Sequence, residues 1–207
     1  MNEVVLVSGC RGIFVTIFES MKYLIVGLGN IGEEYRHTRH NIGFDVVEAL
    51  VKKHGGSFHA DRYADVAEVS LKGKKLVCMM PNTYMNLSGK AVKYWMQKEK
   101  IGISHIMVIV DDLALPLCRL RLRGSGSHAG HNGLRSIEEE LFSNQYPRLR
   151  FGIGNDFPKG RQADFVLGKW KDSEWPEVLL KIEPAVKAIE DFVLMGLEKA
   201  MNSVNTQ

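Results

Sequence analysis

A strand that runs straight into a glycine-rich loop sets the terms for the rest of the chain. Lys22–Val26 (KYLIV) is β-branched and aromatic, and Gly27-Leu28-Gly29-Asn30-Ile31-Gly32 ends it. The spacing matches GxGxxG, so a dinucleotide-binding fold is the first reading to weigh. In that fold the third glycine lies in the first turn of a helix whose amino terminus faces a pyrophosphate. Here Glu33-Glu34-Tyr35-Arg36-His37-Thr38-Arg39-His40 follows, with no apolar helical face and with two carboxylates beside the would-be phosphate. A nucleotide cofactor rests on the loop alone and is the weaker reading.

The segments that follow alternate in type. Asn41–Lys53 has helical spacing, with Ile42, Val46, Ala49 and Leu50 on one face and Gly55-Gly56 as its stop. Asp65–Ser70 and Lys75–Met80 read as strands joined by a turn at Gly73, Asn86–Gln97 as a helix, and His105–Val110 as a buried strand. Leu117–Arg123 (LCRLRLR) alternates as a strand with Arg119, Arg121 and Arg123 on one face. A Gly/Ser/His loop, Gly124–Gly133, precedes a helix from Leu134, and Arg148–Gly154 is a further strand. Two amphipathic helices close the chain, near Ser173–Lys181 and Ala185–Ala200. Strands alternating with helices imply one α/β domain with a mixed, mostly parallel central sheet flanked by helices. The clean pattern opens at Met21, so residues 21–207 are expected to form the domain. Residues 1–20 form an extension without an assigned role, as a start placed upstream of the natural one would leave; mass spectrometry showing an intact Met1 in the natural protein would refute that.

Composition narrows the class. A length of 207 residues suits one domain with a sizeable core, and no uncharged apolar run approaches the roughly 18 residues of a spanning helix. Cys10, Cys78 and Cys118 are odd in number, far apart and in no CxxC pair, which fits a reducing cytoplasm better than a disulfide framework or a cysteine zinc site. The formal net charge of +3 hides an uneven distribution: +1 over residues 1–89, +5 over 90–135 and −3 over 136–207. A basic strip between neutral and acidic stretches is what a polyanion site leaves, or a solvated lysine-rich helix face.

Uncharged amides gather where strands or glycine loops meet helices: Asn30, Asn41, Asn86 and Asn132. His40 adjoins Asn41, and Asp111 ends the buried strand. On one rim of an α/β sheet these would supply an oriented base and neutral donors for a developing oxyanion, which is hydrolase chemistry. No serine occupies a G-x-S-x-G elbow, Cys78 and Cys118 sit in apolar strands, and His128 and His131 lack a third ligand at metal spacing.

From Met21 to about Ala200 the chain resembles the bacterial peptidyl-tRNA hydrolase family, in blocks that keep their order: KYLIVGLGNIG, TRHNIGF, PNTYMNLSG, DDLALP, GSHAGHNGL, and RLRFGIG followed by FVLGKW. The resemblance implies an esterase that frees tRNA from a peptide or N-blocked amino acid. It implies His40 as the base that activates water and Asp111 as the acid that orients it. Asn30, Tyr35, Tyr84, Met85, Asn86 and Asn132 would then contact substrate, with Asn86 a candidate oxyanion donor. It further implies a cytoplasmic monomer without metal or other cofactor, without a membrane and without a protein partner. Arg123, with Arg148 or Arg150, is a candidate tRNA phosphate contact, with Lys90 and Lys93 extending the track; Arg119 and Arg121 could serve equally well. The chain departs from the family at Ile31, where proline is common, at Val110, Asp112 and Asn155, and in a glycine loop that carries Ser125, Ser127 and Ala129. The competing reading is a non-catalytic RNA-binding or splicing-factor relative on the same fold; retention of His40, Asp111 and the three asparagines favours the enzyme.

Overall fold

The computed structural model describes residues 21–206. The first twenty residues, and the expectation attached to them, lie outside the described part. Seven strands form one sheet in the order β2-β3-β4-β1-β5-β7-β6, where β1 is Lys22–Gly27, β2 His59–Asp61, β3 Ala64–Leu71, β4 Lys74–Pro81, β5 Ile106–Asp112, β6 Leu120–Arg123 and β7 Arg148–Gly152. The four central strands, β4, β1, β5 and β7, are parallel, while β2, β3 and β6 pair antiparallel at the edges. Helices α1 (Ile42–Lys53), α2 (Ser88–Glu99), α3 (Asn132–Leu141), α4 (Gln162–Leu167), α5 (Trp175–Met195) and α6 (Leu197–Asn205) surround it.

Each central strand serves two cores, which explains its unbroken apolar run. Tyr23 and Ile25 of β1, with Met107 and Ile109 of β5, pack under Val46 and Leu50 of α1 and Val186 and Ile189 of α5. The intervening Leu24, Val26, Val108 and Val110 pack with Ala91, Val92 and Trp95 of α2 and with Leu134 and Ile137 of α3. The β3–β4 hairpin turns on Lys72 and Gly73, both at positive φ (46° and 81°), as a two-residue turn matched to strand twist requires.

Several boundaries differ from the sequence reading. The β6 strand starts only at Leu120, because Cys118 adopts a left-handed conformation (φ 59°) and breaks the alternation. Arg119 therefore lies outside the strand. The tail is not split near residue 182: α5 continues through Pro184, and the break comes at Gly196 (φ 84°). Among the described residues, no helix is long and apolar enough to cross a membrane.

The topology creates the site. The chain leaves β1 towards β4 on one side and β5 on the other, so the carboxyl ends of β1 and β5 open a crevice at the switch in strand order. Two glycines bring α1 hard against it. A Cβ on Gly27 would lie 2.4 Å from the Gly43 carbonyl oxygen, and one on Gly43 would lie 2.6 Å from the Ile109 carbonyl oxygen. Only backbone without side chains permits that approach, and it carries the residues just before Gly43 to the end of β5.

Candidate active site

His40 and Asn41 lie in a short 3-10 turn, Arg39–Asn41, immediately before α1. Close packing of α1 on β1 and β5 sets His40 Nδ1 2.9 Å from Asp111 Oδ1. The same oxygen meets His131 Nε2 at 3.0 Å. The protons on both rings follow from what else they touch. His131 Nδ1 accepts from the backbone N–H groups of Gly133 (3.1 Å) and Leu134 (3.3 Å), capping α3, so its proton sits on Nε2 and is donated to Asp111. Asp111 is acceptor-only when ionised, so His40 donates from Nδ1. Its Nε2 then carries the lone pair, and His40 lines the cleft.

Burial and charge compete at this cluster. For Asp111, burial works against ionisation, but the facing His40 and His131 outweigh it and hold the carboxyl well below the usual carboxylate range. For His40, burial lowers the pKa, while the charge of Asp111 and its hydrogen bond raise it by more, leaving it above the ordinary histidine value. The base is therefore a stronger one than free imidazole. The ligating atoms of His40, Asp111 and His131 lie within 4.8 Å of one another, a composition that could hold a metal. His40 Nδ1, Asp111 Oδ1 and His131 Nε2 are engaged with one another in the hydrogen bonds just described, and His40 Nε2 is left to the cleft.

The amides are arranged in a second network. Asn41 Oδ1 accepts from the Asn30 N–H and Asn41 Nδ2 donates to the Asn30 carbonyl, both at 2.9 Å, clamping the loop after β1. Asn30 Oδ1 accepts from the Met85 N–H at 3.0 Å, which fixes the amide orientation and leaves Nδ2 as a donor to the cleft. Tyr84, Met85 and Asn86 follow β4, and Asn132 opens α3. All four line the same cleft of about 1190 Å³, with Asp111, Asn30 and His40. Among the described residues, nothing bonds the Asn86 or Asn132 side chains, and both are exposed. Tyr35 stands apart: it is half-buried and does not line the cleft, and its carbonyl accepts from Thr38 Oγ1.

The three arginines also separate. All three line the cleft, but among the described residues Arg123 makes no ion pair. Arg150 pairs through Nε with Asp112. Arg148 is fully buried: it donates to the Ser127 carbonyl (3.3 Å) and the Asn144 carbonyl (3.0 Å), pairs with Glu138 at 3.6 Å and stacks on Tyr146 at 4.2 Å. It braces the glycine-rich loop from below. In sequence, only the place of His131 before Asn-Gly at a helix start hints that it joins the catalytic pair. Asn41 reads in sequence only as an amide near a loop, and its clamp on Asn30 exists only in the fold.

Comparison with known proteins leads to the same family as the motifs. Residues 24–207 match the family model for peptidyl-tRNA hydrolase. The chain is 55% identical to a peptidyl-tRNA hydrolase of Phocaeicola vulgatus over 185 residues, covering 89% of this chain and 99% of that protein. It is 54% identical to one from Cytophaga hutchinsonii, covering 90% and 100%. The crystal structure of peptidyl-tRNA hydrolase from Acinetobacter baumannii superposes with a TM-score of 0.84 at 36% identity, covering 88% of this chain and 94% of that one. With a histidine held by a buried carboxylate, amides lining one cleft, and a match along the whole described domain, the chain belongs to the peptidyl-tRNA hydrolase family.

Proposed function

We propose that the protein hydrolyses the ester between the 3′ end of tRNA and a peptide or N-blocked amino acid, with His40 as general base. The observation that carries this is the division of labour on one imidazole: Nδ1 is tied to Asp111 and Nε2 is left unprotonated at the cleft. Nε2 takes a proton from water as that water attacks the ester carbonyl. The tetrahedral oxyanion is met by neutral amide donors from Asn86, and collapse expels the ribose 3′-oxygen, which recovers the proton from His40. An aminoacyl ester is already activated, so a base worth about 10²–10⁴-fold together with a preorganised donor is a sufficient kit.

Recognition follows from the same walls. Asn30 Nδ2 suits the carbonyl of an acylated amino group, which a free α-amino group lacks. Tyr84 and Met85 offer apolar surface, and Asn132 a second amide, for the peptide or the 3′-terminal portion. Arg123, with Arg150 in support, faces tRNA phosphate from the basic strip, while the burial of Arg148 suits it to bracing the loop they flank. Tyr35 would reach substrate only by a change in the turn that carries it. The reading includes a cytoplasmic monomer acting on peptidyl-tRNA dropped by ribosomes; sedimentation as a dimer would refute the monomer.

The full chain incubated with N-acetyl-aminoacyl-tRNA and with unblocked aminoacyl-tRNA tests the proposal. Release of the acetylated amino acid, with little release from the unblocked form, is the expected outcome. Binding of both without turnover would instead select the non-catalytic relative.

A further inference from the structure

The residue next to the base, Arg39, has a side chain only 5% exposed and points away from the reaction. Its guanidinium donates to the carbonyls of Lys169 (2.8 Å), Gly168 (3.3 Å) and Phe165 (3.4 Å), and to Glu174 Oε2 (2.6 Å). It also stacks on the rings of Phe165 and Trp170, 4.3 and 5.2 Å from their centroids. The backbone adds an Arg39 N–H to Gly168 carbonyl bond of 3.1 Å and a bridge between Thr38 and Lys169. One side chain thus gathers the segment from Phe165 to Glu174.

That segment begins in the last turn of α4, the helix that supplies a wall of the cleft through Gln162, Ala163, Val166 and Leu167. The helix is six residues long and buries only Val166. Helices this short do not hold themselves in place, and α4 packs chiefly against the turn Arg39–Asn41. His40, by contrast, has independent supports in Asp111 and in the His131 ring, 4.8 Å away, and Asn41 is held by Asn30. Losing Arg39 would free the α4 wall while the base stays aimed.

We propose that Arg39 is a positioning residue for substrate binding: it fixes the α4 wall at the distance from His40 that the substrate requires, without touching substrate. The proposal rests on the esterase reading above. Lysine replaces it only in part, since an ammonium keeps the charge but has no planar face to stack and cannot span four acceptors in a fixed fork.

The test uses the full chain with N-acetyl-aminoacyl-tRNA, comparing wild type with Arg39→Lys, Arg39→Gln and Glu174→Gln. The expected result is a KM raised about tenfold in Arg39→Gln and less in Arg39→Lys. kcat should stay within about twofold and the pH midpoint of kcat should not move. Amide hydrogen exchange should quicken in residues 162–174 and not in β1 or β5. Unchanged KM in a folded Arg39 variant overturns the proposal. So does a fall in kcat at constant KM, or a moved pH midpoint, since either would mean that Arg39 acts through His40. Should both Arg39 variants fail to fold, Glu174→Gln decides: raised KM with faster exchange at 162–174 supports the wall, and wild-type KM refutes it. A wild type that hydrolyses nothing would overturn the esterase reading itself, and that failure is visible before any variant is compared.

Discussion

His40 and His131 donate to one and the same oxygen of Asp111, at 2.9 and 3.0 Å, from opposite directions in the sequence. His131 does two jobs: Nδ1 caps α3 while Nε2–H holds the carboxylate that aims the base. The two jobs separate by substitution. His131→Ala should cost about 1 kcal/mol as a lost helix cap, whereas His131→Asn keeps a good cap and restores most of that stability. Neither can reach Asp111, and loss of a hydrogen bond to a charged group, about 1.5 kcal/mol, should lower kcat about tenfold in both. Denaturation curves beside single-turnover rates check this; wild-type kcat in His131→Asn would refute the shared-oxygen role.

The pH dependence should carry the mark of Asp111. His40 must be neutral to act, and its raised pKa places the acidic limb of kcat/KM above the reference value of about 6.5. In Asp111→Asn, burial remains while the carboxylate charge is gone, so the limb should move to lower pH as activity drops. Stability linked to His40 runs the other way: it is fully present below the unfolded pKa and is lost as pH rises through the folded one. A pH–rate profile identical in wild type and Asp111→Asn would contradict the assignment.

The arginines predict different phenotypes. Arg123→Glu should raise KM for tRNA substrates and flatten the salt dependence of binding by about one unit of slope, with folding unaffected. Arg148→Ala should instead lower stability by roughly 2–3 kcal/mol, because it removes the partner of Glu138 and of the Ser127 and Asn144 carbonyls. KM titrations against potassium chloride and urea melts separate the two.

Asp45 provides a stability test away from catalysis. One carboxylate oxygen meets His37 Nδ1 at 2.8 Å and the other, Oδ2, is buried without a partner. Burial, opposed by His37, lifts its pKa to about 6. The folded state binds this proton more tightly than the unfolded chain, so the group's contribution is intact below about pH 4 and is lost as pH rises through about 6. Asp45→Asn should therefore gain on wild type by up to about 3 kcal/mol between pH 4 and pH 7. A difference independent of pH would refute it.

The sequence revealed most where one physical signal dominated. β1 and β5 are buried on both faces, so their apolar runs have no competing reading, and α1 shows its face in Ile42, Val46 and Leu50. The tail misled because Glu183-Pro184 looks like a stop, while the apolar face actually runs on from Val178 to Val193. α4 is too short for any periodicity to register, and Cys118 holds back the start of β6 through a backbone conformation that residue type does not announce. Within the site, His40, Asp111 and the amides stood beside recognisable loops. The roles of His131 and Arg39 were hidden, because both depend on contacts far along the chain: twenty positions to Asp111 and 135 to Glu174.

Single-turnover hydrolysis of N-acetyl-aminoacyl-tRNA by His40→Ala, at saturating enzyme and with folding verified by its melting curve, bears most directly on His40 as the group that activates water. A fall in the rate of at least about 10²-fold, with substrate still bound, is expected. A His40→Ala rate equal to that of the wild type would contradict it.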